Sequence, residues 1–230
     1  MGVAEDTYWE RLAAVSGLAG LALTVVGTFI VGSPPAADAT MERIRTYFAD
    51  NRTGLLVQML LYGLAAAALL AFVGGLRSYL RRYEGSSGLL SGITFGGGVT
   101  LAILILLGLF LEIGIVYRVA STADDALVRV IFDAITTSAV FFGFPIAVFV
   151  GAACVIARRT GAFSKGIYWL GIFVILANLA GAGELFIDSG PWTPGGSATF
   201  IPFGLLVVWE VAVAITMISR AGRDQQRLAD

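Results

Sequence analysis

The chain has 230 residues, 57% of them hydrophobic and 13% charged, with a net charge of −1, one cysteine and no histidine. That is about half the charge density of an average soluble domain, and it leaves no basic face for nucleic acid. Without an imidazole, histidine-ligated haem bundles, histidine–zinc intramembrane hydrolases and serine–histidine proteases are excluded, and the lone Cys154 cannot close an intrachain disulfide.

A helix needs roughly 20 apolar residues to cross about 30 Å of hydrocarbon. The first run that qualifies is Leu12 to Val31. It is longer than the h-region of a signal peptide, so it reads as a retained span despite the Ala37-Asp38-Ala39 that follows. Next, the stretch from Asp38 to Arg52 places Met41, Ile44, Tyr47 and Phe48 on one helical face, with Asp38 or Thr40 as its cap. This predicts a short amphipathic outer helix, which either lies in the headgroup boundary or serves only as a lid on the bundle.

The second span is expected from about Leu55 to Leu76, the third from Leu89 to Val116, and the fourth from about Val130 to Ala157. Ser121 and Asp124 have capping-box spacing, so a helix starts there and runs into the fourth span, and Pro145 should bend that span near its middle. The fifth runs from Gly166 to Ile187 and the sixth from Thr199 to Ser219. The expected fold is therefore all-α: a polytopic six-transmembrane-helix bundle forming one domain over residues 1–230, with a short amphipathic outer helix.

Six spans put both termini on one side. Arg11, Arg77, Arg81, Arg82, Arg158, Arg159, Lys165, Arg220, Arg223 and Arg227 fall on that side, against Arg43, Arg45, Arg52, Arg118 and Arg129 on the other. Positive charge collects inside, so a cell-membrane protein with cytoplasmic termini is expected. Tyr8, Trp9, Tyr79, Tyr83, Tyr168 and Trp169 near the inner interface, and Tyr47, Tyr117 and Trp192 near the outer one, agree with that orientation.

Phe72-Val73-Gly74 followed six residues later by Arg81-Arg82 is echoed by Phe149-Val150-Gly151 followed by Arg158-Arg159, so spans two–three and four–five could be repeated hairpins. Further signposts are Pro34-Pro35 after the first span, Asp50-Asn51-Arg52 before the second, and the turn from Leu76-Arg77 to Glu84-Gly85. Thr160-Gly161 precedes the fifth span, and Pro191 with Pro194-Gly195-Gly196 precedes the sixth. Over nearly its whole length the chain resembles a family of six-helix integral membrane proteins from GC-rich Gram-positive bacteria that is defined as a domain of unknown function. The resemblance implies a fold and a membrane location; it brings no activity, cofactor or ligand.

An ionisable group at a helix centre costs at least about 2.5 kcal/mol on insertion scales, so it needs a partner or a watery cavity. Glu210 lies near the middle of the sixth span and Glu184 in the outer third of the fifth; Glu112 and Asp133 lie nearer the outer surface. Counting residues puts Asn178 at about the depth of Glu210. One reading is an outward-open pocket with Glu210 and Asn178 as floor, Glu184 and Glu112 as walls and Gln58 adding an amide, able to take a proton, a cation or a small amine. The other pairs Glu112 with Arg118 and Asp133 with Arg129, and bonds Glu210 to Asn178 as interhelical glue.

Gly181-Ala182-Gly183-Glu184 is similar to the Gly-x-Gly-Asp motif of intramembrane aspartyl proteases, but glutamate stands for aspartate and the partner tyrosine–aspartate pair is missing. There is no phosphate loop, and carboxylates without histidine or clustered cysteine do not suit a transition metal. No catalytic residue, metal or cofactor is assigned. Gly88, Gly92 and Gly96 share one face of the third span and predict close helix packing. Alternatively, Gly85 to Gly88 with Arg77, Arg81 and Arg82 could hold an anionic lipid headgroup at a helix start.

The expected function is a non-enzymatic bundle that binds membrane lipids, a further copy of itself or another membrane protein. A small transporter or channel using the carboxylate pocket is the alternative, and an intramembrane enzyme the least favoured. A pocket lined by Glu184, Glu210 and Asn178 would speak for transport; an apolar groove opening to lipid would speak for binding.

Overall fold

The computed structural model describes the backbone of residues 3–119 and 122–229, and the side chains of residues 7–117 and 122–221. Among the described residues every regular element is helical. The helices are α1 (Val3–Val31), α2 (Met41–Asp50), α3 (Arg52–Glu84), α4 (Leu89–Gly114), α5 (Asp125–Ser138), α6 (Gly143–Thr160), α7 (Lys165–Gly181) and α8 (Phe200–Ala229). A 3₁₀ turn, Ala139–Phe142, joins α5 to α6 into one continuous helical rod. Six helices are long and apolar enough to cross a membrane, namely α1, α3, α4, α5–α6, α7 and α8.

Local chemistry accounts for the boundaries. Asp124 caps α5 by accepting from the Leu127 amide at 2.8 Å, while Ser121 lies outside the described residues. The fourth span therefore begins earlier than its apolar run implies. Pro145 has no N–H to offer the Phe141 carbonyl, and the backbone tightens into the 3₁₀ turn just before it. Both copies of the Phe-Val-Gly echo end on a glycine with positive φ, Gly85 at 86° and Gly161 at 71°, and their Phe72-Val73 and Phe149-Val150 pairs are equally buried.

The spans close into a ring: α1 packs on α3, α3 on α4, α4 on α6, α6 on α7, α7 on α8, and α8 on α1. Close approach between neighbours depends on glycine. A Cβ on Gly97 would stand 2.7 Å from the Phe149 backbone nitrogen, and one on Gly98 would stand 2.5 Å from the Val73 side chain. The expected stripe is displaced. Gly92 and Gly96 meet nothing within the chain, and Gly88 adopts a left-handed φ of 61° at the start of α4. A run of three glycines offers several faces, and the packed one holds Gly97 and Gly98.

The end of the ring that carries the chain termini is filled with large side chains. Phe72, Leu76 and Tyr79 of α3, Phe149 of α6, and Trp209 and Met217 of α8 are fully buried there. Phe149 meets Trp209 edge to face at 5.5 Å. Arg220 donates to the Tyr79 hydroxyl at 3.1 Å and to the Tyr83 hydroxyl at 2.7 Å, and Tyr79 donates to the Ala162 carbonyl at 2.9 Å. Glu10 of α1 accepts from Arg82 and from Ser78 of α3.

The arginine-rich turn between α3 and α4 is also committed. Glu84 accepts from the Leu90 and Ser91 amides at 2.7 and 2.9 Å and from the Ser87 hydroxyl at 3.0 Å. The N-terminus of α4 thus already holds a carboxylate from its own chain, which takes the donors a lipid headgroup would need. Arg82 binds Glu10, Arg77 stacks over Phe95 at 5.3 Å, and Arg81 lies against Gly88.

At the far end, Ile44 and Phe48 of α2 are buried against Leu55, Met59, Ile115, Val116, Val128 and Phe132. The apolar face of α2 is spent on the bundle, so it forms a lid, and its cap is Thr40. Arg45 ties the lid to Asp125 and the Ala123 carbonyl, and Arg129 reaches the Ala37 and Ala39 carbonyls while pairing with Asp133 one turn on. The outside of the ring inverts a soluble surface, with Phe186 88% and Phe29 80% exposed among many bare leucines and valines.

Candidate functional site: a cavity inside the helix ring

Above the packed rings the ring is hollow. Helix α1 turns Gly17, Gly20 and Thr24 inward, α3 offers Ala65 and Ala66, and Gly143 and Gly181 face them from α6 and α7. Where small residues from four helices converge, side chains do not fill the middle. The space left is about 350 Å³, within the range of small-molecule sites. Leu69, Leu101, Ile146, Phe149 and Leu206 make most of its deeper wall apolar.

Three of the five side chains expected in a pocket line this cavity: Glu184, Asn178 and Glu210. Their depths differ from the residue count. Gly171 of α7 lies against Trp209 of α8, which fixes the register of the two helices. The Asn178 amide consequently donates to the Pro202 carbonyl at 3.4 Å and to Val174 at 2.9 Å, and makes no bond to Glu210. Pro202 precedes Glu210 by eight residues, so Asn178 sits about 12 Å along the helix from that carboxylate. Span ends set the count from sequence, whereas helix register is set by packing, here by a glycine that admits an indole.

Glu184 is 3% exposed and accepts from the Thr199 hydroxyl at 3.2 Å, near the mouth. Glu210 is 5% exposed and makes no hydrogen bond or ion pair among the described residues; it forms part of the floor beside Phe149 and Leu206. The interhelical bond to Asn178 that would have made it glue is absent.

Gln58 and Glu112 do not line the cavity. Gln58 stands behind the wall, donating to the Gly27 carbonyl at 2.9 Å and to the Tyr62 hydroxyl at 3.3 Å, so it clamps α3 to α1. Glu112 lies toward the lid, where its charge and burial together push the Tyr47 phenol above its ordinary pKa. The Arg118 side chain expected to pair with Glu112 lies outside the described residues. Sequence reasoning missed the hydroxyls of Thr24, Thr28 and Tyr62, the last two bonded at 2.9 Å. Their signal was the inward face Gly17, Gly20, Leu21, Thr24, Thr28 at helical spacing on α1.

The lining of the cavity reaches the exposed surface on α8. Thr7 and Ala14 of α1 and Ala214 and Ala221 of α8 are buried near the termini, whereas Phe200 and Phe203, toward the far end of α8, both line the cavity and are exposed. No protein family, curated protein or solved structure matches this chain.

Proposed function

We propose that this chain is a multi-pass protein of the cell membrane, with both termini cytoplasmic, that binds a membrane-derived amphiphile in its central cavity without transforming it. The observation that carries this reading is the apolar lining of the cavity, two of whose residues, Phe200 and Phe203, are also exposed at a level where the ring's outside is bare hydrocarbon side chain. An acyl chain entering past them would not cross water, and the apolar wall would receive it. Topology rests on ten positive residues at the terminal end against five at the far end.

Native mass spectrometry of the detergent-extracted protein tests the binding. Parent protein should retain an amphiphile, and Leu206→Trp, which fills the cavity from α8, should lose it. Equal retention by both would place the amphiphile elsewhere and overturn the reading. For topology, a cysteine at the exposed Arg43 should label from outside intact cells while one at Arg223 should not; the native Cys154 is buried and stays silent.

One observation favours a second reading, a small transporter: Glu184, Asn178 and Glu210 stand at different depths of one cavity. Beyond Glu210 toward the termini, however, Leu76, Tyr79, Ile156 and Met217 close the ring. Cation flux into proteoliposomes that Glu210→Gln abolishes would favour transport, and no flux from active, ligand-retaining protein would leave binding.

A further inference from the structure

The floor of the cavity holds a carboxyl group without a counterpart. Glu210 is more than nine-tenths buried, lines the cavity and has no partner among the described residues. Among those residues no lysine or arginine lines the space. The nearest cation along its own helix, Arg220, is ten residues away, about 15 Å, and is committed to Tyr79 and Tyr83. Toward the mouth, Glu184 adds a second carboxyl group to the lining.

A buried carboxylate of this kind asks for a cation, and the surroundings decide which. An inorganic ion such as Ca²⁺ takes six to eight oxygen ligands. Around Glu210 the lining offers Gly17, Leu69, Leu101, Ile146 and Leu206, which supply hydrocarbon and no side-chain oxygen. A hydrated metal ion would lose its water there and gain one carboxylate. An ammonium group carried on an apolar body loses far less, because one carboxylate can face the charge while the walls cover the rest.

Resting on the amphiphile-binding reading above, we infer that the cavity selects amphiphiles by charge: it takes a cationic one, an amine or quaternary ammonium with an apolar body, with its charge held by Glu210 at the floor. Neutral amphiphiles of the same length enter more weakly, and anionic ones are repelled by both carboxylates.

The test uses full-length protein in phosphatidylcholine nanodiscs and three probes of one chain length: decyltrimethylammonium, whose charge does not titrate, decanol and decanoate. Apparent affinity is read from the dose-dependent rise in the midpoint of thermal unfolding. Decyltrimethylammonium should bind most tightly, and Glu210→Gln should weaken it by about tenfold or more while leaving decanol within about twofold. Leu206→Trp should weaken the ammonium and the alcohol together. If decanol or decanoate matches the ammonium, or Glu210→Gln leaves the ammonium unchanged, selection by Glu210 is wrong while amphiphile binding stands. If the parent responds to none of the three, the binding reading itself fails and this inference with it.

Discussion

The two halves of the ring are built from the same six helices, yet one is packed and the other hollow. Toward the termini, three glycines of α4 and α7 are filled by a neighbour: Gly97 by the Phe149 backbone, Gly98 by Val73, and Gly171 by Cys154 and Trp209. In the far half Gly17 still lies against the Phe72 ring and Gly143 against the Asn178 carbonyl, whereas Gly181 has only a Pro202 edge and a Glu184 oxygen at van der Waals distance and Ala65 and Ala66 line the same space. A small residue thus has two opposite consequences. Where a neighbour fills its place it brings backbones together and fixes register; where nothing does, as at Gly181, it leaves room for a guest.

Truncating the packed half should have the largest effect. Phe149→Ala removes a fully buried ring that meets Trp209 edge to face, and comparable core truncations cost about 3–5 kcal/mol. Phe203→Ala, at the rim of the hollow half, should cost less than about 1 kcal/mol because it leaves no new void behind. Unfolding of both variants in the same detergent, followed by circular dichroism, measures the difference. Similar costs for the two would mean that the far half is as tightly built as the terminal half.

A sharper comparison lies within one run of glycines. Gly97→Ala drives a methyl into the Phe149 backbone, which cannot swing aside, and should destabilise by about 1–3 kcal/mol. Gly96→Ala, one residue away, meets open space and should be neutral or gain up to about 1 kcal/mol from helix propensity. If Gly96→Ala proves the more damaging, then the face it shares with Gly92 is packed against something outside this chain, such as a second copy, and thermal unfolding at several protein concentrations would reveal it.

The helical architecture was legible because it depends on composition along the chain: six apolar runs gave six long helices, and Thr40 marks the cap of the short outer helix by its side-chain chemistry. That Glu184, Asn178 and Glu210 share a cavity was legible for a related reason, since buried polar groups on neighbouring spans must face inward. What was hidden is everything that depends on rotation and register between helices. Nothing local in Gly171 says that Trp209 will sit against it, so Asn178 was counted to the wrong depth. Nothing local in Glu84 says that it will fold over the N-terminus of α4 and accept from the Leu90 and Ser91 amides there. Gln58 and Glu112 are as polar and as apolar-flanked as Glu210, and only the rotation of α3 and α4 turns them toward α1 and the lid instead of the cavity.

The smallest effect is expected where the lid is fastened. Arg45 meets Asp125 at 2.8 Å, but the aspartate side chain is 69% exposed, so water and salt screen the pair and an exposed bridge contributes about 0.2–1 kcal/mol. Asp125 also stands in the first turn of α5, where a negative charge adds a few tenths of a kcal/mol through the helix dipole. Asp125→Asn should therefore lower stability by less than about 1 kcal/mol, and the loss should shrink as salt is raised because both contributions are electrostatic. The apolar contacts of Ile44 and Phe48 do not depend on salt, and the Arg45 bond to the Ala123 carbonyl at 2.7 Å survives the substitution. Parallel melts at low and high salt separate the two kinds of fastening. A loss that stays constant with salt, or one as large as that of Gly97→Ala, would mean that the lid is held mainly by its ion pair and that its buried face contributes little.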